Sequence, residues 1–108
     1  MKIKDLVYVA PSLIHGKGLF ARVGIKRGTY IGAYEGPPAK RNGSHVLWVF
    51  DEEGNMLVGR RGLNQLRYLN HHLNPNAEFD GFDLYAKKAI RADDELTISY
   101  EPDGSVEF

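Results

Sequence analysis

The chain has 108 residues, with 14 Lys plus Arg against 14 Asp plus Glu, no cysteine, 12 glycines and 43% hydrophobic residues. A single domain of this size, near the common range of about 100–150 residues, buries one core and leaves no room for the separate cofactor domain of a two-domain dehydrogenase or kinase. Zero net charge speaks against direct nucleic-acid binding through bulk electrostatics, and the missing thiols exclude disulfides, thiolate zinc sites and a cysteine nucleophile.

In chain order, Met1-Lys2-Ile3-Lys4-Asp5 carries neither the apolar core of a secretion signal nor a membrane span, so a soluble intracellular protein without a membrane partner is expected. Short apolar runs broken by Gly, Pro, Asn and Asp then predict strands over 6–10, 18–21, 30–34, 45–50, 56–58, 82–86 and 95–100. Lys26-Arg27-Gly28, Gly36-Pro37-Pro38 and Glu53-Gly54-Asn55 supply the turns between them. Only residues 63–69 read as a short helix, with Leu63, Leu66 and Leu69 three apart before an Asn-Pro stop. No repeat, linker or low-complexity tract divides the chain, which predicts a mostly β single domain over 1–108.

From Asp93 to the end every residue charged at neutral pH is acidic: Asp93, Asp94, Glu95, Glu101, Asp103 and Glu107. Such a run serves either as a solvated edge that stops a terminal strand pairing with other chains or as a rim that attracts a basic peptide.

Four stretches do not read as ordinary strand. Gly16-Lys17-Gly18 is either a turn needing positive φ or a loop whose backbone approaches a ligand, and it lacks the further residues of a dinucleotide fingerprint or a P-loop. Tyr34-Glu35-Gly36 is the second stretch. In the third, Asn70-His71-His72-Leu73-Asn74-Pro75-Asn76, three amides and two imidazoles lie between apolar flanks, which predicts a polar segment satisfied inside the fold. A metal site from His71 and His72 is disfavoured, because neighbours on an extended chain face opposite ways and no third spaced ligand follows. The fourth stretch is Asp94-Glu95-Leu96-Thr97-Ile98-Ser99-Tyr100. No nucleophile elbow surrounds Ser12, Ser44 or Ser99, so a serine hydrolase is disfavoured too.

Taken together and in this order, the four stretches resemble the SET domain of protein lysine methyltransferases over nearly the whole chain. Arg67-Tyr68-Leu69-Asn70-His71-His72-Leu73-Asn74-Pro75-Asn76 is similar to the family's third motif and residues 94–100 to its fourth, with His72, Leu73, Asp93 and Ser99 as departures. The resemblance implies small curved sheets of the β-clip type, with a C-terminal pseudoknot and one short helix. It implies S-adenosyl-L-methionine as cofactor, held by Gly16, Lys17, Gly18, Leu19, Asn70 and His71, with Phe108 as a lid over the adenine. It also implies a lysine channel lined by Tyr8, Phe79 and Ile98 and ending at Tyr100 as the catalytic residue. No cysteine-rich zinc segment follows, so no metal is expected.

The implied partner is a protein with an accessible lysine in a basic segment, a histone being the family's usual substrate class. The implied compartment is cytoplasmic for a bacterial protein, and nuclear or host-directed for one acting on histones. A SET-like module that binds peptide or cofactor without turnover is the alternative, and a homodimer through exposed hairpins carrying Trp48 and Phe50 is a further expectation.

Overall fold

The computed structural model describes residues 2–39, 45–50, 53, 56–100 and 106–107. Residue 108, and with it the expected lid Phe108, lies outside the described residues. The elements in chain order are α1 (Ile3–Leu6), β1 (Val7–Pro11), β2 (Lys17–Ala21), β3 (Tyr30–Ala33), β4 (Pro38–Ala39), β5 (Val46–Phe50), β6 (Met56–Arg61), a 3-10 helix (Gln65–Tyr68), β7 (Asn70–His71), β8 (Ala77–Asp80), β9 (Asp83–Ala86), β10 (Glu95–Ile98) and β11 (Val106–Glu107). They form three small sheets, ordered β1-β2-β10-β7, β11-β5-β6-β4 and β3-β9-β8. The fold is mostly β, as the alternation of apolar residues and turns requires.

Strand register explains which residues are inside. Val7 pairs with Ala21 and Val9 with Leu19, and this face of the β1–β2 hairpin packs on Leu66, Leu69, Leu84, Leu96 and Ile98. Tyr8 and Phe20, directly opposite one another, take the other face. The β8–β9 hairpin turns at Gly81 with φ 64, a conformation that glycine adopts without a Cβ clash.

Two expectations need correction. Residue 6 does not begin a strand: it ends α1, whose first turn is closed by the Asp5 carboxylate accepting from the Lys2 N–H at 3.1 Å. The helix over 63–69 is a four-residue 3-10 turn, Gln65–Tyr68, and Leu63 is 61% exposed. A spacing of three is the 3-10 period rather than the α period, so Leu66 and Leu69 share the buried side. Asn64 stops the turn from starting earlier, because its amide nitrogen donates to the Ala33 carbonyl at 2.8 Å and so ties the chain to β3.

Trp48, expected as a dimer contact, is instead turned inward, at 9% exposure, over Gly59 on the facing strand β6. A Cβ at Gly59 would stand within the Trp48 ring, so the glycine makes room for the indole. Nothing is assigned to the Phe50 side chain, which is outside the described set. Among the described residues no helix is long and apolar enough to cross a membrane.

Candidate active site

The β1–β2 hairpin closes through a loop held by its own serine. Ser12 N–H donates to the Gly16 carbonyl at 2.8 Å, and Ser12 Oγ accepts from the Ile14 and His15 amides at 2.9 and 3.4 Å. Gly16 takes φ 46 to complete the turn. The same Ser12 hydroxyl donates to Glu95 on β10, with its two carboxylate oxygens 2.8 and 2.9 Å away.

Asn70 is the second anchor. It is buried, and its amide nitrogen has four acceptors around it: Glu95 Oε2 at 2.8 Å, Ser12 Oγ at 3.1 Å, the His15 carbonyl at 3.1 Å and the Lys17 carbonyl at 3.2 Å. This is how a polar segment sits between apolar ones without an energetic penalty: each buried donor meets protein oxygen. The Asn70 amide nitrogen is therefore directed at the protein.

β7 runs parallel to β10, with Asn70 opposite Thr97 and His71 opposite Ile98. Side chains reinforce this short pairing. The Asn76 amide accepts from Thr97 N–H and donates to the Glu95 carbonyl, both at 2.9 Å, and His72 N–H donates to the Ile98 carbonyl at 3.1 Å. Tyr100 lies just beyond β10, where its N–H donates to His71 Nδ1 at 2.9 Å and its hydroxyl donates to the Leu69 carbonyl at 2.7 Å. Nδ1 of His71 is thus an acceptor, and Nε2 carries the ring hydrogen.

A cleft of about 360 Å³ opens between these anchors. Gly16, Lys17, Asn70 and Tyr100, all expected site residues, line it together with His15, His45, Arg67, Tyr68 and Leu69. Lys17 and Arg67 give its wall fixed positive charge. The Arg67 guanidinium also donates to the Tyr68 hydroxyl and draws that phenol below its ordinary value. Burial, with Glu95's charge second, pushes the Tyr100 phenol up to about 12, so it is a neutral hydroxyl at physiological pH.

Behind Tyr100, Tyr34 is fully buried, donates its hydroxyl to the His45 carbonyl and meets Phe79 edge-on at 5.6 Å between ring centroids. Burial drives its phenol upward, and Tyr100 acts in the same direction. The His45 imidazole is pushed below its usual value, chiefly by burial. Tyr34 and Phe79 thus form an aromatic pair tied through the His45 carbonyl to a residue of the cleft wall, while the Tyr100 ring meets the His71 imidazole at 5.2 Å. Tyr34 was visible in Tyr34-Glu35-Gly36, but nothing in the sequence told its ring from an ordinary strand tyrosine.

The other expected residues are placed differently. Tyr8 donates its hydroxyl to Asp93 at 2.8 Å, stacks on Phe20 and lies under Arg22, none of which lines the cleft. Leu19 and Ile98 are buried in the core. Gly18 is buried too, and a Cβ there would strike the Glu95 carboxylate. Among the described residues of the acidic run, Asp93, Asp94 and Glu95 do not face one way. Asp93 and Asp94 bond the Ala21 backbone at the end of β2 remote from Lys17, whereas Glu95 turns inward to Ser12 and Asn70.

The raised phenols have a consequence for stability. A tyrosine titrates near 10 when unfolded, so the protonated phenols of Tyr100 and Tyr34 contribute their full stability below about pH 10. That contribution is lost as pH rises through the folded value of about 12 for Tyr100. Denaturant midpoints are expected to fall over this alkaline range, and Tyr68 is expected to ionise before the buried pair in an absorbance titration. A midpoint that stays level across it would contradict the burial of both hydroxyls.

Residues 16–101 match the family model described as the SET domain. Among solved structures, a chain of "Structure of ctPRC2 in complex with H3K27me3 and H3K27M" is 22% identical with a TM-score of 0.73, covering 90% of this chain and 14% of that one. A chain of "ctPRC2 in an autoinhibited conformation bound to S-adenosylmethionine" is 21% identical with a TM-score of 0.74, covering 93% of this chain and 15% of that one. This chain therefore spans about one seventh of the length of those chains, and the likeness at this identity is one of fold. No curated protein matches it by sequence.

Proposed function

Since the chain belongs to the SET-domain family, we propose that it is a protein lysine N-methyltransferase that uses S-adenosyl-L-methionine and acts on a lysine in a basic protein segment, histone tails included. The observation that carries the reading is the convergence of Gly16, Lys17, Asn70 and Tyr100 on one cleft beside the Tyr34–Phe79 pair. The ctPRC2 structures, one bound to S-adenosylmethionine and one in complex with H3K27me3 and H3K27M, support the cofactor and substrate class by likeness of fold. The lacing of the segment around Asn70 to β10 supports the threaded crossing that the family resemblance implies.

The cleft fits such a cofactor chemically. Lys17 and Arg67 suit an α-carboxylate, Leu69 and Tyr68 offer apolar surface to a purine, and Gly16 has no atom within 4 Å of where a Cβ would stand. When bound, the cofactor supplies a methyl group on a cationic sulfur. The protein's part is then alignment, exclusion of water and delivery of a neutral amine. A lysine ammonium entering an apolar slot beside another cation is driven to lose its proton, because desolvation and like charge both disfavour the charged form. Tyr100 does not take that proton, since with a phenol near 12 it is un-ionised in all but about one molecule in ten thousand at about pH 8. Its hydroxyl orients the amine, and His71 and Leu69 orient Tyr100.

Phe79, edge-on to Tyr34, adds no hydroxyl that would hold a water, and Ile98 is buried in the core and sets no channel width. Room for added methyls follows, and mass spectrometry of a methylated peptide is expected to show di- or trimethyl product. Monomethyl product alone at long times would count against this channel. The function itself is tested by incubating the chain with labelled cofactor, a panel of histones and a basic-protein mixture. Incorporation into a lysine side chain is the expected result, and cofactor binding without any transfer would leave a binding module instead.

A further inference from the structure

We propose that Glu95 is the positioning residue that assembles the cofactor cleft, its single carboxylate clamping both the 12–17 loop and Asn70 to β10. The kinetic side of this proposal rests on the methyltransfer reading above, whereas its structural side rests on hydrogen bonds alone.

The walls of the cleft come from distant parts of the chain, and Glu95 is the acceptor that its two polar anchors share. The Ser12 hydroxyl has one hydrogen and gives it to Glu95. That leaves the Ser12 lone pairs aimed at the Ile14 and His15 amides and the Asn70 amide. The Asn70 amide has two hydrogens for four acceptors, and its shortest contact, 2.8 Å, is to Glu95 Oε2. Remove the carboxylate and Ser12 is free to rotate away from the loop amides, while Asn70 loses its one charged acceptor. One carboxyl group that reaches Ser12 and Asn70 together fixes their spacing, so its reach sets the position of the loop.

The second glycine of Gly16-Lys17-Gly18 then has a cause that sequence alone does not supply. Gly18 has no positive φ, unlike Gly16, so its backbone does not demand glycine. Space does: a Cβ at 18 would overlap the Glu95 carboxyl group and stand 3.0 Å from the Ser12 Cβ. Gly18 is the seat of the clamp. Glu95 also reaches the reacting end, since its charge adds to the burial that holds the Tyr100 phenol protonated.

Two substitutions separate a clamp from a charge. Glu95→Gln keeps the reach and shape of the side chain and loses its charge; Glu95→Asp keeps the charge and draws it back by one methylene. If Glu95 acts as a clamp, Glu95→Asp weakens S-adenosylhomocysteine binding about tenfold or more, with a smaller change in kcat at saturating cofactor, and Glu95→Gln is the milder variant. Hydrogen exchange at the Ile14 and His15 amides is expected to speed up in Glu95→Asp and in Ser12→Ala, which removes the hydroxyl linking the loop to Glu95, leaves the carboxylate in place and guards against a Glu95 variant that fails to fold. Unchanged exchange at both amides with wild-type binding in Glu95→Asp overturns the proposal, as does the reverse ranking, with Glu95→Gln losing kcat and Glu95→Asp unaffected. If the wild-type chain binds no S-adenosylhomocysteine, the methyltransfer reading fails, while the exchange comparison still decides the role of Glu95.

Discussion

Tyr100→Phe is expected to lower kcat for methyl transfer about 10²–10³-fold while S-adenosylhomocysteine binding stays within about twofold of wild type. The size follows from what the hydroxyl does. It is fixed from two sides, by its own bond to the Leu69 carbonyl and by the His71 imidazole on the Tyr100 backbone, so it presents a preorganised dipole to an incoming amine. Losing such a group affects the transition state, where alignment counts, more than the bound cofactor. Leu69 lines the open cleft, so its freed carbonyl can bond water and the variant is expected to fold. The pH profile distinguishes orientation from base catalysis. With the phenol held near 12, the wild-type rate rises only as the substrate amine loses its proton, and the residual rate of Tyr100→Phe follows the same curve. A wild-type limb that vanishes in the variant would make the phenolate a base and overturn this assignment.

How far the sequence disclosed this site depends on whether a residue's role follows from local pattern or from a distant partner. The β1–β2 hairpin was legible because Val7, Val9, Leu19 and Ala21 alternate with Tyr8 and Phe20 across a Gly-containing loop. The strands β7 and β8 were not, since Asn70-His71 carries no apolar alternation and Ala77–Asp80 reads as loop until it is paired with β9. Motif resemblance brought Gly16, Lys17, Asn70 and Tyr100 to one cleft. It did not disclose why residue 18 is glycine: a carboxylate from 77 positions further on occupies the space its missing side chain leaves. Tyr8 shows the same limit: an aromatic on a strand face takes its role from what lies opposite, here Phe20 and Asp93. The acidic residues 93–95 looked continuous in sequence, but Asp93 and Asp94 belong to the turn before β10, where Asp93 takes φ 70, whereas Glu95 begins the strand and turns inward to Ser12 and Asn70.

Asn70→Asp is expected to destabilise the fold by about 3–5 kcal/mol at neutral pH, a large share of the roughly 5–15 kcal/mol that holds a domain of this kind together. The substitution is nearly isosteric, so packing is kept and the effect is electrostatic. It puts a carboxylate oxygen where the amide nitrogen now lies, 2.8 Å from Glu95 Oε2 and within 3.2 Å of two backbone carbonyls. Two carboxylates that close cannot both ionise, and the variant folds only if the pair retains a proton. The folded pair then titrates above the unfolded carboxyl range of about 4, so its deficit is smallest below that range and grows as pH rises through the pair's folded value. Urea midpoints of Asn70→Asp should therefore fall steeply between mildly acidic and neutral pH. Asn70→Ala, which removes the donor and adds no charge, should be destabilised without that added slope. Parallel curves for the two variants would mean that Asn70 does not hold the Glu95 carboxylate, and the junction of the 12–17 loop, β7 and β10 would need another centre.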